Sequence, residues 1–191
     1  MPATHSSRSP METISEDYLK QQRELHSNPN YGVASQSYAP IVAEIIKTLQ
    51  ISSVADYGAG KCRLASSLQE FGAALSSYFP YDPAFPEYGQ PRSADLLCCI
   101  DVLEHIEPEF LENVIDQIGD LTTKYAFITV HTGSAVKVLP DGRNAHLIQA
   151  PSSWWLSRLV EKFEIIQLQQ TQGGFWVLAS PKDHSILINS K

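Results

Sequence analysis

Apolar residues switch between two spacings along this chain. Over 37–49, Tyr38, Ile41, Val42, Ile45, Ile46 and Leu49 fall three and four apart on one helical face. Pro40 is placed in the first turn of that helix, where a missing N–H is tolerated. The same rhythm predicts helices over 63–71, closed by Gly72, and over 108–118, with Phe110, Leu111, Val114, Ile115 and Ile118 on one stripe. Another is expected over 153–163, capped by Ser152 or Ser153. A short helix is expected over 16–25 and a turn over 28–32. Between these lie apolar runs at 51–56, 74–81, 94–101 and 125–130 that read as strands. The third, Ala-Asp-Leu-Leu-Cys-Cys-Ile-Asp, is nearly unbroken, the mark of a central strand covered on both faces. Two last strands, 164–169 and 174–180, pair antiparallel through a turn at Gly173-Gly174.

Strands alternating with helices predict an α/β fold with a mostly parallel sheet and an antiparallel C-terminal edge. The segment between Asp82 and Ala94 holds Pro83, Pro86 and Pro91 and has no room for a helix and a strand. One strand of the usual doubly wound sheet is therefore expected to be short or missing.

The 191 residues are most simply one domain, expected over 16–181, with a disordered tail over 1–15 and a frayed end over 182–191. A formal net charge of -7 gives no general attraction to a phosphate backbone, so nucleic acid is an unfavoured partner. No apolar stretch approaches the roughly 20 residues of a membrane span, and the polar N-terminus has no secretory core. Cys62, Cys98 and Cys99 have neither metal-ligand nor disulfide spacing, which suits a reducing compartment and a cytoplasmic protein.

The chemistry is concentrated after the strands. The first ends Asp56-Tyr57-Gly58-Ala59-Gly60, a tight turn with backbone bare enough for a ligand to lie against it. Asp82 follows Gly60 by 22 residues, close to the offset at which an acid accepts from ribose hydroxyls. Asp101 closes the central strand, so three acids gather where such sheets bind ligands. A dinucleotide fingerprint fits less well, because Arg63 stands at its last glycine position.

Asp56-Tyr-Gly58-Ala-Gly60, Tyr81-Asp82 and Asp101-Val-Leu-Glu104-His105-Ile-Glu107-Pro108 resemble the motifs of class I S-adenosylmethionine-dependent methyltransferases, over roughly residues 31–179. Tyr31-Gly32, Tyr81-Asp-Pro-Ala84, Leu139 to His146 (Leu-Pro-Asp-Gly-Arg-Asn-Ala-His) and Trp154-Trp155 are similar to a bacterial and phage group of small methyltransferase-like proteins. The resemblance implies a Rossmann-like sheet that binds S-adenosylmethionine. Asp56, Tyr57, Gly58, Ala59 and Gly60 would lie against its methionine and ribose, and Asp82 and Pro83 against the ribose. Asp101 and Val102 would flank the sulfonium, and Tyr31 would fold over the site. The family's third loop glycine is Cys62 here.

His146, Asp101 and His105 are the candidate catalytic residues, acting on an oxygen or nitrogen of a small, carbohydrate-like acceptor. A loop imidazole at His146 suits proton removal from a hydroxyl or amine. Asp101, Glu104, His105 and His146 also mimic the metal-binding set of methyltransferases acting on the 2′-hydroxyl of small RNAs. The acidic charge argues against RNA, and no metal is expected. A cofactor-binding protein without turnover, and other chemistry on the same cofactor, remain open. Trp154 and Trp155 diverge by about 100° on a helix, so one faces the core and the other is free to line an entrance.

Overall fold

The computed structural model describes residues 12–28 and 31–182. Six strands form one sheet in the order β2-β1-β3-β4-β6-β5. They are β1 (Ser53–Tyr57), β2 (Ser77–Tyr81), β3 (Ala94–Ile100), β4 (Thr122–His131), β5 (Phe163–Gln170) and β6 (Gly174–Pro181). The first four run parallel, and β6 lies antiparallel to both β4 and β5. The helices are α1 (Glu16–His26), α2 (Ala34–Thr48), α3 (Arg63–Glu70), α4 (Leu111–Leu121) and α5 (Ser152–Lys162).

The unbroken apolar run becomes β3 at the sheet centre, where Leu96, Leu97, Cys98 and Cys99 are fully buried. Alternate residues feed two cores. Leu97 and Cys99 pack with Leu111, Val114 and Ile115 of α4 and Trp155 of α5. Leu96 and Cys98 pack with Val42 and Ile46 of α2 and Leu64 of α3. Both cysteines are core fillers, as small apolar side chains.

No strand lies between Tyr81 and Ala94. That stretch carries only a 3₁₀ turn, Pro86–Tyr88, so β2 is the sheet edge. The Arg92 guanidinium lies 4.0 Å from the Phe79 ring centre on β2. A cation set against an edge strand discourages pairing with another chain.

Three local expectations are corrected. Helix α2 begins at Ala34 rather than at 37; its first turn is mostly polar and its N-cap, Val33, makes no side-chain cap bond, so neither an apolar stripe nor a capping residue marks the start. Pro40 is therefore interior to the helix, not in its first turn, and removes the N–H that would close on Gln36. Ser152 and Ser153 do not cap α5; Pro151 occupies the N-cap position with no side-chain bond. Residues 1–11 and 183–191 of the expected tail and frayed end lie outside the described residues, as do 29–30 of the expected turn. Ser15 is the N-cap of α1, its hydroxyl accepting from the Tyr18 N–H at 3.2 Å.

Candidate functional site

The carboxyl ends of β1, β2, β3 and β4 form one rim. After β1 the chain turns with Gly58 at φ +80° and Gly60 at φ +50°, conformations that side chains resist. A Cβ on Gly58 would stand 2.4 Å from Val102 Cγ2, so only hydrogen fits there. Cys62, in place of a third glycine, is also left-handed at φ +53°. The turn's three consecutive N–H groups are all spoken for by the end of β2. Those of Gly58 and Ala59 donate to the Tyr81 carbonyl (2.8 and 2.9 Å), and that of Gly60 to the Asp82 carboxylate (3.0 Å). What the turn offers a ligand is bare Cα surface, not a row of donors.

Asp82 also accepts the Ala84 N–H at 2.8 Å, and burial still raises its pKa against these bonds. Asp56 is 4% exposed and accepts from the Tyr78 hydroxyl. Its burial lifts the carboxyl to a pKa of about 7.

Asp101 leaves β3 at φ +60°, a strained state that aspartate tolerates better than most residues, and its N–H donates to Thr129 Oγ1 at 2.9 Å. A 3₁₀ turn, Leu103–His105, then brings His105 back toward it, with His105 Nε2 3.9 Å from Asp101 Oδ2. His105 Nδ1 lies 2.8 Å from the Ala145 carbonyl, and His146 Nδ1 2.7 Å from the Gly133 carbonyl. A carbonyl only accepts, so each Nδ1 carries the hydrogen and each neutral ring keeps its lone pair on Nε2. The two ring centres are 4.8 Å apart, and His131 stands 4.8 Å from His146.

Burial raises the Asp101 pKa, but the His105 ring beside it, when protonated, outweighs burial and holds the carboxyl low. Burial pulls His105 down; Asp101 and Glu104 reverse the sign and raise it. His146 is lowered, chiefly by burial. Glu104 is wholly buried; one oxygen accepts the His131 N–H and Oε2 has no partner. Burial, then the Asp101 charge, pushes its pKa up to about 8.

A cover closes over this rim. The Ser15 N–H and hydroxyl both donate to Glu107 (2.8 and 2.7 Å), and the Tyr18 hydroxyl donates to the His105 carbonyl at 2.8 Å. Tyr18 and Leu25 of α1 pack on Leu139 and Ala145 of the 132–151 loop. That loop is folded by a turn in which the Gly142 N–H meets the Leu139 carbonyl at 3.0 Å. At the C-terminal end of α1, His26 meets Tyr31 and Phe85 edge-on, and burial followed by the Lys61 charge lowers its pKa to about 4.

The cavity between rim and cover is about 580 Å³, and every residue singled out above for cofactor or catalysis lines it. Trp154 does not; it is half-buried against the Arg158 guanidinium, 3.4 Å from its ring centre, while Trp155 is in the core. Lys61 Nζ donates to the Asn28 carbonyl, and Lys137 stands 5.2 Å over the Tyr31 ring. Sequence reasoning missed Tyr18, Gln22, His26 and His131, which also line the cavity. Tyr18 and Leu25 stand seven apart on one face of α1, but nothing local in the sequence says what that face covers. A second cavity of about 600 Å³ is lined by Tyr38, Thr129, Thr132 and the 171–174 turn, and shares Asp101 and His131 with the first.

No family model and no curated protein matches this sequence. Solved structures do match in fold. The Burkholderia thailandensis 1,6-didemethyltoxoflavin N1-methyltransferase, with its acceptor and S-adenosylhomocysteine bound, is 16% identical at TM-score 0.59, covering 92% of this chain and 93% of that one. An O-methyltransferase family protein from the same organism is 12% identical at 0.63, over 94% of this chain and 66% of its own length. The magnesium protoporphyrin IX methyltransferase of Synechocystis PCC 6803, with S-adenosylmethionine bound, is 14% identical at 0.56, over 88% and 92%. At these identities the likeness is one of fold: a Rossmann-like class I methyltransferase sheet with one edge strand absent among the described residues.

Proposed function

We propose that this chain binds S-adenosylmethionine in the first cavity and transfers its methyl group to an oxygen or nitrogen of a small-molecule acceptor. The observation that carries the reading is the convergence of the Gly58–Gly60 turn, Asp82 and Asp101 on one cavity of about 580 Å³, within the size range of small-molecule sites. The residues suit that cofactor. Asp82 keeps carboxylate lone pairs for ribose hydroxyls beyond the two N–H groups it accepts. Asp56 through Gly60 would lie along the methionine and ribose, with Tyr31 and Pro83 beside them and Asp101 and Val102 at the sulfonium end. A dinucleotide pyrophosphate needs free turn N–H groups, and here three in succession are already bonded.

Bound there, S-adenosylmethionine supplies an electrophilic methyl carbon on a cationic sulfur. The chain's own part is alignment, which alone can lower a barrier by about 7–11 kcal/mol, and preparation of the nucleophile. His146 Nε2, which keeps its lone pair, accepts the proton of an acceptor hydroxyl or amine; burial keeps that ring neutral beforehand. Asp101, held ionised by His105, faces the same space. Thr129 and Thr132 in the adjoining cavity suit a hydroxylated, carbohydrate-like acceptor, and the net charge of -7 disfavours a polyanion. Titration calorimetry with S-adenosylmethionine and S-adenosylhomocysteine tests the reading: micromolar binding of both is expected, and no heat with either overturns it.

A further inference from the structure

We infer that Asp101, His105 and His146 form a binding site for one divalent transition-metal ion where the two cavities meet, with open coordination positions for an oxygen of the acceptor. The inference deepens the proposed function and departs from the sequence expectation of a metal-free site.

The donor atoms of these three residues lie within 4.8 Å of one another. Two imidazoles and a carboxylate are a ligand set for Zn²⁺, Fe²⁺ or Mn²⁺ rather than for Mg²⁺ or Ca²⁺. Bond lengths near 2.1 Å would bring the donors to about 3.3 Å apart, a contraction that side-chain torsions can absorb.

The outer contacts are those that a metal-binding histidine needs. Each Nδ1–H is fixed on a backbone carbonyl, Ala145 for His105 and Gly133 for His146, so each Nε2 is left to ligate. The two carbonyls come from the same loop as His146, so loop closure assembles the site. A second observation points the same way. Glu104, next to His105 in the chain, is wholly buried with Oε2 unpartnered, an acceptor left for a ligand to satisfy. Three protein ligands leave positions open, as in catalytic sites. Asp101 lines both cavities, so an acceptor in the second can reach such a position. With an ion present, His146 is a ligand rather than a proton acceptor. A coordinated acceptor hydroxyl then loses its proton to water, its pKa lowered by the ion.

The full chain, stripped with chelator and dialysed, would be titrated with Co²⁺ and then Zn²⁺. One equivalent of Co²⁺ with the visible absorption of a low-coordinate nitrogen–oxygen site, displaced by Zn²⁺, is expected. Asp101→Asn and His146→Gln should each weaken Co²⁺ binding at least about 100-fold, beyond the loss typical of an outer-shell change. His5→Ala/His184→Ala, outside the described residues, should retain binding. Absence of stoichiometric uptake by the wild-type chain overturns the inference, as does equal uptake by the Asp101 and His146 variants. S-adenosylmethionine calorimetry on the same samples separates the claims: cofactor binding without Co²⁺ uptake sinks only the ion site, and uptake without cofactor binding sinks the proposed function alone.

Discussion

The carboxylate of Asp82, at the end of β2, accepts the N–H of Gly60, in the turn after β1, at 3.0 Å. This bond ties two strand ends into one wall and fixes an acid beside bare backbone. Replacing Asp82 by Ala removes the proposed ribose acceptor and frees a part-buried N–H. A charged hydrogen bond is worth about 1.5–3 kcal/mol, so affinity for S-adenosylmethionine should fall about 10- to 100-fold in calorimetry. Unchanged affinity would remove Asp82 from the cofactor site.

Gly58 and Val102 are in contact tight enough to test as a pair. A Cβ at Gly58 meets Val102 Cγ2 at 2.4 Å and is also held at φ +80°. Gly58→Ala should cost more than about 2 kcal/mol in chemical denaturation, part from left-handed strain and part from the clash. Val102→Ala relieves only the second part. The double variant should therefore be more stable than the two single losses predict, and simple additivity would refute the steric account.

Asp56 gives stability a dependence on pH. Its folded pKa of about 7 lies above the ordinary carboxyl value, so between about pH 4 and 7 the folded chain binds more protons than the unfolded one. Stability from this group is full at the acid end and is lost as pH rises through 7, by a few kcal/mol. In Asp56→Asn that loss should vanish. Denaturation at pH 5 and pH 8 measures it: wild type should weaken relative to the variant at the higher pH.

How much of this was legible in the sequence follows from which interactions are local. The turn at Gly58–Gly60, the acids at strand ends and the buried run of β3 are written in contiguous residues, and the proline-rich gap foretold the absent edge strand. The start of α2 was not legible, because Val33 offers no capping side chain and the helix is held by Val42 and Ile46 against β1 and β3. Nor was the role of α1. His26 reaches Gly60 and Phe85 only because Tyr18 and Leu25 dock on Leu139 and Ala145, more than a hundred residues away. His131 falls just past the strand expected over 125–130, and antiparallel pairing with Gly174 extends β4 to fix it at the rim.

One buried acid anchors the leading edge of that docking. Glu107 is 6% exposed and accepts both the N–H and the hydroxyl of Ser15, at the first turn of α1. Two bonds to a carboxylate hold the cover's leading edge, while its apolar contacts are a small cluster of Tyr18, Leu25, Leu139 and Ala145 with Ile14, Tyr31, Ala135 and Leu147 around it. Elements with so few buried contacts open first in native-state exchange. Glu107→Ala should therefore speed amide exchange across 16–26 at least about tenfold while leaving β3 and β4 protected. Cofactor affinity should fall with it, since His26 and Tyr18 wall the cavity from above. Uniform loss of protection across the sheet would show instead that Glu107 supports the whole domain and not the cover alone.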